Sequence, residues 1–528
     1  MKYRAALIVD NLHIIKWQKS ALDEAAENIE IVLIINCQNT KTKKNYFKHF
    51  FYYVLNFLSL KNQLTKKQKF KNADSVLINF DSIYSGAWQS LPLDIYDSIN
   101  KEKIDVIIKF GMSLLRIDDE YQQLPILSYH HGDPSSYRGR PAGFYEILNG
   151  EKTTGIIVQR LSNELDAGVI LAFAESKIVN FSYKKTALNF YSNSSTLLNK
   201  AIINLSNKKY IDHSVSGKNY RLPSNLLVIK FACLMIWRII LKISYGLFFE
   251  KKWKVGVAPN QLSLRGNEVI ASSLIEEVPI SSSYNFYADP FFSEDNKKIR
   301  LEALDRKTGL GDILEVDVDN FLNQKLLLSG KHYSYPFSFI YEGKEFLLPE
   351  VASHSAQYVC KADIAQQQIS LIRGLETKRI VDATIFFKDG IYYLFFGENN
   401  SAHTVLNLWY SDSPFGDFEA HPMSPIGISP KNARMAGKLL LSSDYLIRFG
   451  QDNSGEYGES LAVMSIISIS KEIFNEEQIG TIKLDNFKGP HSINFNSDMS
   501  KLLIDYYDDQ FSIFAGVRRI KAKLSESS

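Results

Sequence analysis

Apolar residues in the first 210 positions fall into short, uninterrupted runs separated by amphipathic segments. The runs AALIVD (5–10), IEIVLIIN (29–36), DVIIKFG (105–111), ILSYH (126–130), TGIIVQRL (154–161) and VILAFAESKIV (169–179) read as strands. The early ones are continuously apolar, as parallel strands covered on both faces require. SALDEAAEN (20–28) and LDIYDSINKEK (93–103) suit crossover helices. The pattern predicts an α/β, Rossmann-type domain with a mostly parallel sheet over residues 1–210. Chemistry in such sheets sits in loops beyond the carboxyl ends of the strands. ILSYHHGDPSSYRGRPAGF (126–144) enters a loop of that kind with two histidines and an aspartate.

Residues 211–254 read as a linker holding the most apolar stretch of the chain, NLLVIKFACLMIWRIILKISYGLFF (225–249). Lys230, Arg238 and Lys242 interrupt it and, on a helix, fall on one face. Two readings stand. One is a helix lying in a membrane interface, with Trp237, Tyr245 and Trp253 as anchors. The other is a buried helix packing two domains together, its basic side chains reaching outward. A second basic-aromatic segment, TKTKKNYFKHFFYYVLNFLSLKNQLTKKQKF (40–70), slightly favours the surface role.

From residue 255 onward the texture changes to short β-rich runs with turn signals between them. Similar starts recur near Asp289, Pro336, Asp382, Gly437 and Pro490, a period of roughly fifty residues. Five such units predict a five-bladed β-propeller over 255–528. FFKDGIYYLFFG holds a two-residue Asp-Gly turn between aromatic strands, a strong hairpin signal.

Composition narrows the function classes. The net charge of +3 over 528 residues argues against a nucleic-acid binder. Cys37, Cys233 and Cys360 are far apart with no metal-ligand spacing, so neither a disulfide framework nor a metal is expected. MKYRAALIVDN reads as a first buried strand rather than a secretory signal, and the cytoplasm is the expected compartment.

In the first domain, His130 ends a strand two residues after Ser128, and His131, Gly132 and Asp133 open the loop. Asp166, in NELDAG (163–168), lies in a second loop between strands. An imidazole beside a carboxylate can manage protons and stabilise an oxyanion, which acyl transfer to an amine requires. On residue types alone, ordinary turn chemistry is the better account of these residues. Order and spacing change that account. SYHHGDPSSYRG followed by FYEILNGEKTTGIIVQRLSNELDAGVIL resembles the formyltransferases that use 10-formyltetrahydrofolate, with Gly150, Glu151, Thr154, Gly155, Asp166 and Gly168 in the family's register. The resemblance implies His130 and Asp166 as catalytic residues. The family's Asn falls on Ser128, whose hydroxyl is a shorter and weaker donor to a tetrahedral intermediate. It further implies a donor pocket built in part from DVIIKFGMSLL (105–115), with Phe110, Gly111, Met112 and Leu114, and 10-formyltetrahydrofolate as the formyl donor. His131, Asp133, Arg138 and Gly139 are substrate or loop residues.

In the second domain, YADPFF and VDATIFF resemble five-bladed glycoside hydrolases of the arabinanase and β-xylosidase type. The half also looks like the hydrolase-like propeller of plant glucosamine inositolphosphorylceramide transferases. That chemistry needs a carboxylate base and a carboxyl acid across the sugar. Asp289, Glu350, Asp382 and Glu459 are the candidates, against repeated turn chemistry as the plainer account.

The combined expectation is an N-formyltransferase acting on an amino sugar, nucleotide- or lipid-linked, in surface-polysaccharide synthesis. Peripheral contact with the inner face of a membrane and a homodimer are compatible with it. The alternative is a glycoside hydrolase or sugar-binding propeller protein with a degenerate first domain.

Overall fold

The computed structural model describes residues 2–39, 45–70, 74–164, 168–351, 358–361, 368–441 and 445–526. The chain divides into two compact units, Met1–Ile239 and Ile240–Ser528, and the segment 211–254 is shared between them.

The N-terminal unit is built on strands β1 (Tyr3–Val9), β2 (Ile29–Cys37), β3 (Val76–Phe80), β4 (Val106–Lys109), β5 (Ile126–His131), β6 (Thr153–Arg160) and β7 (Val169–Lys177). They form one sheet in the order β7-β6-β5-β4-β1-β2-β3. β1 to β5 run parallel, and β6 and β7 continue the edge antiparallel. Ala5 to Val9 are buried without interruption, as the unbroken apolar run requires.

Helices α1 (Lys16–Ala25), α2 (Phe50–Ser59), α3 (Leu93–Lys101), α4 (Phe144–Asn149), α5 (Tyr183–Ser206) and α6 (Asn225–Phe248) follow the strands. α1 begins at Lys16 rather than Ser20, because Trp17 extends the buried stripe of Ala21, Leu22 and Ala25. The Gln18 side chain also accepts the Ile15 N–H at 3.1 Å, which satisfies an open helix donor. Ile95, Tyr96 and Ile99 of α3 pack on Ala6, Ile8, Leu33 and Ile107 of the sheet. α5 packs on β6, β7 and α1. Among the described residues no helix is long and apolar enough to cross a membrane.

The C-terminal unit is all-β and propeller-like. Four blade-like sheets follow one another in the chain: Tyr284–Leu328, Tyr333–Leu371, Ile380 to Ala420, and Arg434 to Leu484, the last gaining Gly266–Ile270 at its outer edge. The expectation of five repeated units is corrected to these four. The segment after Pro490 holds only the strands Ile493–Phe495 and Lys501–Phe511, too few for a sheet of its own. They pair with each other, Lys501–Phe511 also pairs with Phe249–Pro259 from the start of the unit, and Phe249–Pro259 in turn pairs with Glu276–Glu277, giving one four-stranded sheet.

The Asp389–Gly390 hairpin has positive φ at both residues, 51° and 80°, the type I′ geometry that this dipeptide favours. Trp253 is buried in this unit against His491 and Tyr507. It is therefore no membrane anchor, which corrects that expectation.

Candidate functional site

In the N-terminal unit the alternation of β5 sorts the histidines. Ser128 and His130 share one face of the strand, and Tyr129 and His131 the other. Ser128 and His130 are 7% and 8% exposed. A carbonyl oxygen only accepts, so His130 Nε2 donates to Tyr137 O at 3.3 Å. Gly132 makes that contact feasible, since a Cβ there would lie 2.7 Å from Tyr137 O and 2.9 Å from His130 Nε2.

Two further polar residues lie beside Ser128 in register, Gln159 on β6 and Lys109 at the end of β4. Both are buried. Gln159 Oε1 accepts the Gly168 N–H at 3.0 Å, which holds one end of the loop containing Asp166. Asp166 itself lies outside the described residues. Burial raises the Asp10 carboxyl above its usual range and outweighs the Met112 N–H and the charge of Lys109, which both oppose the rise.

His131 belongs to the opposite side. Its ring lies 5.4 Å from that of Trp17 and 5.3 Å from that of Phe190, with Nε2 2.9 Å from Ser194 Oγ. Burial, reinforced by neighbouring His130, pushes it down to about 3. It is a neutral packing residue at physiological pH.

The remaining loop candidates hold the loop together. Asp133 accepts from Ser135 N, Ser135 Oγ and His213 Nε2 at 2.8, 2.6 and 2.7 Å. Burial opposes its ionisation, but these bonds outweigh burial and keep it below the usual carboxylate range. Arg138 Nε donates to Gly217 O at 2.7 Å. Gly139 has φ +83°, and a Cβ there would meet Tyr220 O at 2.2 Å.

The proposed donor segment is mostly turned inward. Met112 is fully buried in the α3-side core, and its N–H donates to Asp10 Oδ1 at 2.7 Å. A Cβ on Gly111 would lie 2.6 Å from Asp10 Oδ1. Phe110 meets Trp17 edge-on at 5.8 Å, and the Leu114 carbonyl accepts Gln89 N–H at 2.8 Å.

In the C-terminal unit the first strands of three blade-like sheets carry the same irregularity. Asp289, Tyr335 and Asp382 have φ of 47°, 45° and 51°, each within a register shift of its strand. The bulge re-aims these side chains into one buried polar centre. His491 Nδ1 lies 2.9 Å from Asp505 Oδ2 and 3.3 Å from Asp289 Oδ1. His491 Nε2 is 2.6 Å from Tyr457 Oη. Asp505 also accepts the N–H groups of Asp289 and Ser492 at 2.9 and 2.7 Å. Arg434 clasps both oxygens of Asp382, and Glu350 accepts the Asp382 N–H at 3.3 Å.

Burial raises Asp289 to about 7 and Glu350 to about 8, with neighbouring carboxylates adding to both shifts and Arg434 opposing them. Glu302 is raised well above the usual range for the same reasons. Burial disfavours charge on His491, yet Asp505 and Asp289 outweigh it and hold its pKa above the ordinary value. The centre thus retains protons at neutral pH. Among the described residues Asp289 Oδ1 is buried with no hydrogen-bond partner, its approach to His491 Nδ1 being an ion-pair contact.

Of the four carboxyl candidates, Asp289, Glu350 and Asp382 interact within this centre. Glu459 instead accepts the Glu456 N–H in its own loop at 3.3 Å. Sequence reasoning missed Lys109, His491, Asp505, Arg434 and Glu302. Lys109 had a usable signal, a lone charge in an otherwise apolar strand. His491 had another, its place directly after Pro490 at a repeat start.

Residues 264–500 match the family model described as glucosamine inositolphosphorylceramide transferase 1, N-terminal. Proteins named glucosamine inositolphosphorylceramide transferase 1 are similar to this chain. That of Oryza sativa subsp. japonica is 31% identical over 209 residues, covering 36% of this chain and 28% of that protein. That of Arabidopsis thaliana is 30% identical over 225 residues, covering 40% and 29%. The chain thus spans under a third of the length of these plant relatives. A methionyl-tRNA formyltransferase of Finegoldia magna is 27% identical over 181 residues, covering 31% of this chain and 55% of that protein. Among solved structures, glycinamide ribonucleotide transformylase 1 from Geobacillus kaustophilus aligns with 38% of this chain and 97% of its own, at 14% identity and a TM-score of 0.28. The N-terminal unit thus shares sequence similarity with a formyltransferase and carries the Rossmann-type, mostly parallel sheet described above.

Proposed function

We propose that this protein is a sugar-modifying transferase whose N-terminal unit moves a formyl group from 10-formyltetrahydrofolate to the amine of an amino sugar. The observation that carries the reading is the buried face on which Ser128, His130, Gln159 and Lys109 stand together at the carboxyl end of the parallel strands. The sugar half of the reading comes from the C-terminal match, to a family whose name refers to glucosamine.

The polar residues fit a formyl donor: a hydroxyl, an imidazole and a buried cation converge where an acyl oxygen would gain charge. The apolar side chains of the donor segment are used in packing, so a pterin would meet the backbone of residues 110–114. When bound, the folate supplies the activated formyl carbon. The chain's residues do the rest. Ser128 donates a hydrogen bond toward the carbonyl oxygen, and His130 donates its Nε2–H there once that proton leaves the Tyr137 carbonyl. Lys109 adds positive charge that offsets the shorter reach of Ser128 relative to an Asn amide. Asp166 orients His130 and takes up the amine proton through water.

Purified protein is offered 10-formyltetrahydrofolate with a panel of nucleotide- and lipid-linked amino sugars, and tetrahydrofolate release is followed. Turnover is expected with at least one sugar and is lost in His130→Ala and Asp166→Ala. A fully inert panel, or unchanged turnover in both variants, refutes the proposal.

A second reading has its own observation. Two carboxyls that keep their protons near neutrality, Asp289 and Glu350, are what a general acid at a glycosidic bond requires. Sugar release that disappears in Glu350→Gln while formyl transfer is untouched would favour it.

A further inference from the structure

The basic charge of this chain is concentrated in two stretches. Residues 31–73 contain nine lysines and no Asp or Glu, and residues 213–249 contain Lys218, Arg221, Lys230, Arg238 and Lys242, again without an acid. The whole chain nets only +3. These stretches hold α2 and α6, whose N-terminal ends are joined. Asn225 accepts the Phe51 N–H at 3.1 Å and donates to Phe47 O at 2.8 Å, and His49 Nδ1 donates to Pro223 O at 2.8 Å.

Each helix buries one face. Tyr52, Val228 and Phe231 pack around Phe144 and Tyr183. The other faces are apolar and bare. Phe47 is 94% exposed, and Phe50, Phe51, Val54, Phe57 and Leu58 repeat at helical spacing behind it. On α6, Leu226 is 77% exposed, and Ile229, Ile236 and Trp237 are exposed beyond it. Such a patch on one unit marks an interaction surface. Lys48, Lys61 and Lys230 are exposed among these residues, with Lys61 Nζ 3.8 Å above the Phe57 ring. Arg238 plays no part, since it donates to Ile147 O and Asn180 O of the same unit at 2.9 and 3.1 Å. That corrects the expectation of a basic face including it.

We propose that α2 and the first half of α6 form one docking surface for an anionic lipid bilayer. Phe47, Phe50, Phe57, Leu226 and Trp237 enter the boundary between headgroups and acyl chains, and Lys48, Lys61 and Lys230 meet the headgroups. The charge pattern selects this occupant. A second copy would set two acid-free basic faces against each other, whereas anionic lipid supplies the opposite sign together with an apolar layer. The proposal stands independently of the formyl-transfer reading.

The test is co-sedimentation of the full chain with vesicles of phosphatidylcholine alone and of phosphatidylcholine with one third phosphatidylglycerol. The protein is expected to sediment with the anionic vesicles only and to be released by salt. Lys48→Gln with Lys61→Gln should weaken binding about fivefold per lysine. Phe50→Ser with Phe57→Ser should abolish binding, and because both side chains are exposed the fold is retained, which circular dichroism checks. Equal sedimentation of wild type and both variants, or no sedimentation at all, overturns the proposal. So does a concentration-dependent dimer in sedimentation velocity that the Phe variant removes, since that makes a second copy the occupant.

Discussion

Replacing Asp289 by asparagine removes one buried carboxyl while preserving the shape of the side chain, and its consequence for stability has a definite sign. In the folded chain burial lifts Asp289 from its ordinary 3.8 to about 7. Below pH 3.8 both folded and unfolded chains carry the proton. Between that value and about 7 the unfolded chain releases it and the folded chain keeps it, so stability falls as the pH rises. Above about 7 both have released it, and the loss levels off at about 4 kcal/mol, an upper figure because the protons are shared with His491 and Asp505. The variant lacks this loss.

The assay is urea denaturation followed by tryptophan fluorescence at a series of pH values from about 4.5 to 8. Trp253, whose ring lies 5.0 Å from that of His491, reports on this region. Taking the change across pH for each protein cancels any pH-independent cost of losing the contact with His491. The wild type should lose several kcal/mol more than Asp289→Asn across the range. Parallel curves, or a wild type that gains stability toward pH 8, would refute the burial argument.

Three other outcomes follow from the geometry. Ser128→Asn restores the longer amide donor and should raise formyl transfer by about tenfold or more, read as the rate of tetrahydrofolate release. Gly132→Ala places a methyl against the Tyr137 carbonyl and His130 Nε2 at a positive φ and should lower both kcat and stability, measured by steady-state kinetics beside thermal unfolding. Phe144→Ala empties the centre of the cluster where Phe144 stacks on Phe231 at 4.4 Å. It should cost about 3–5 kcal/mol in denaturant unfolding.

Much of the first site was legible along the chain because its parts are local. Ser128 and His130 lie two residues apart on one strand, and period-two alternation places them on one face whatever else the chain does. The same alternation sends His131 to the other side, where Trp17 and Phe190 enclose it. The donor segment was read less well. DVIIKFGMSLL is apolar enough for a pterin, but apolarity does not say whether a side chain lines a pocket or fills a core, and Met112 fills the core. The C-terminal centre was legible only in part. Asp289 and Asp382 stood at visible repeat starts, whereas Glu459, away from any repeat start, accepts the Glu456 N–H of its own loop.

By itself, then, the sequence determined the elements whose evidence is periodic: the unbroken apolar strands of the N-terminal sheet, the Asp389–Gly390 hairpin, and the long acid-free apolar helix α6. These depend on neighbours a few positions apart, and backbone geometry enforces them locally. Only the tertiary structure decided what depends on distant partners. It joined the strands after Pro490 to Phe249–Pro259 instead of giving them a sheet of their own. It brought His491 and Asp505 to Asp289, about two hundred positions away. It set Lys109 beside Ser128. The physical reason is that a strand edge or a buried charge is satisfied by whatever group the fold delivers, and sequence spacing carries no record of that delivery.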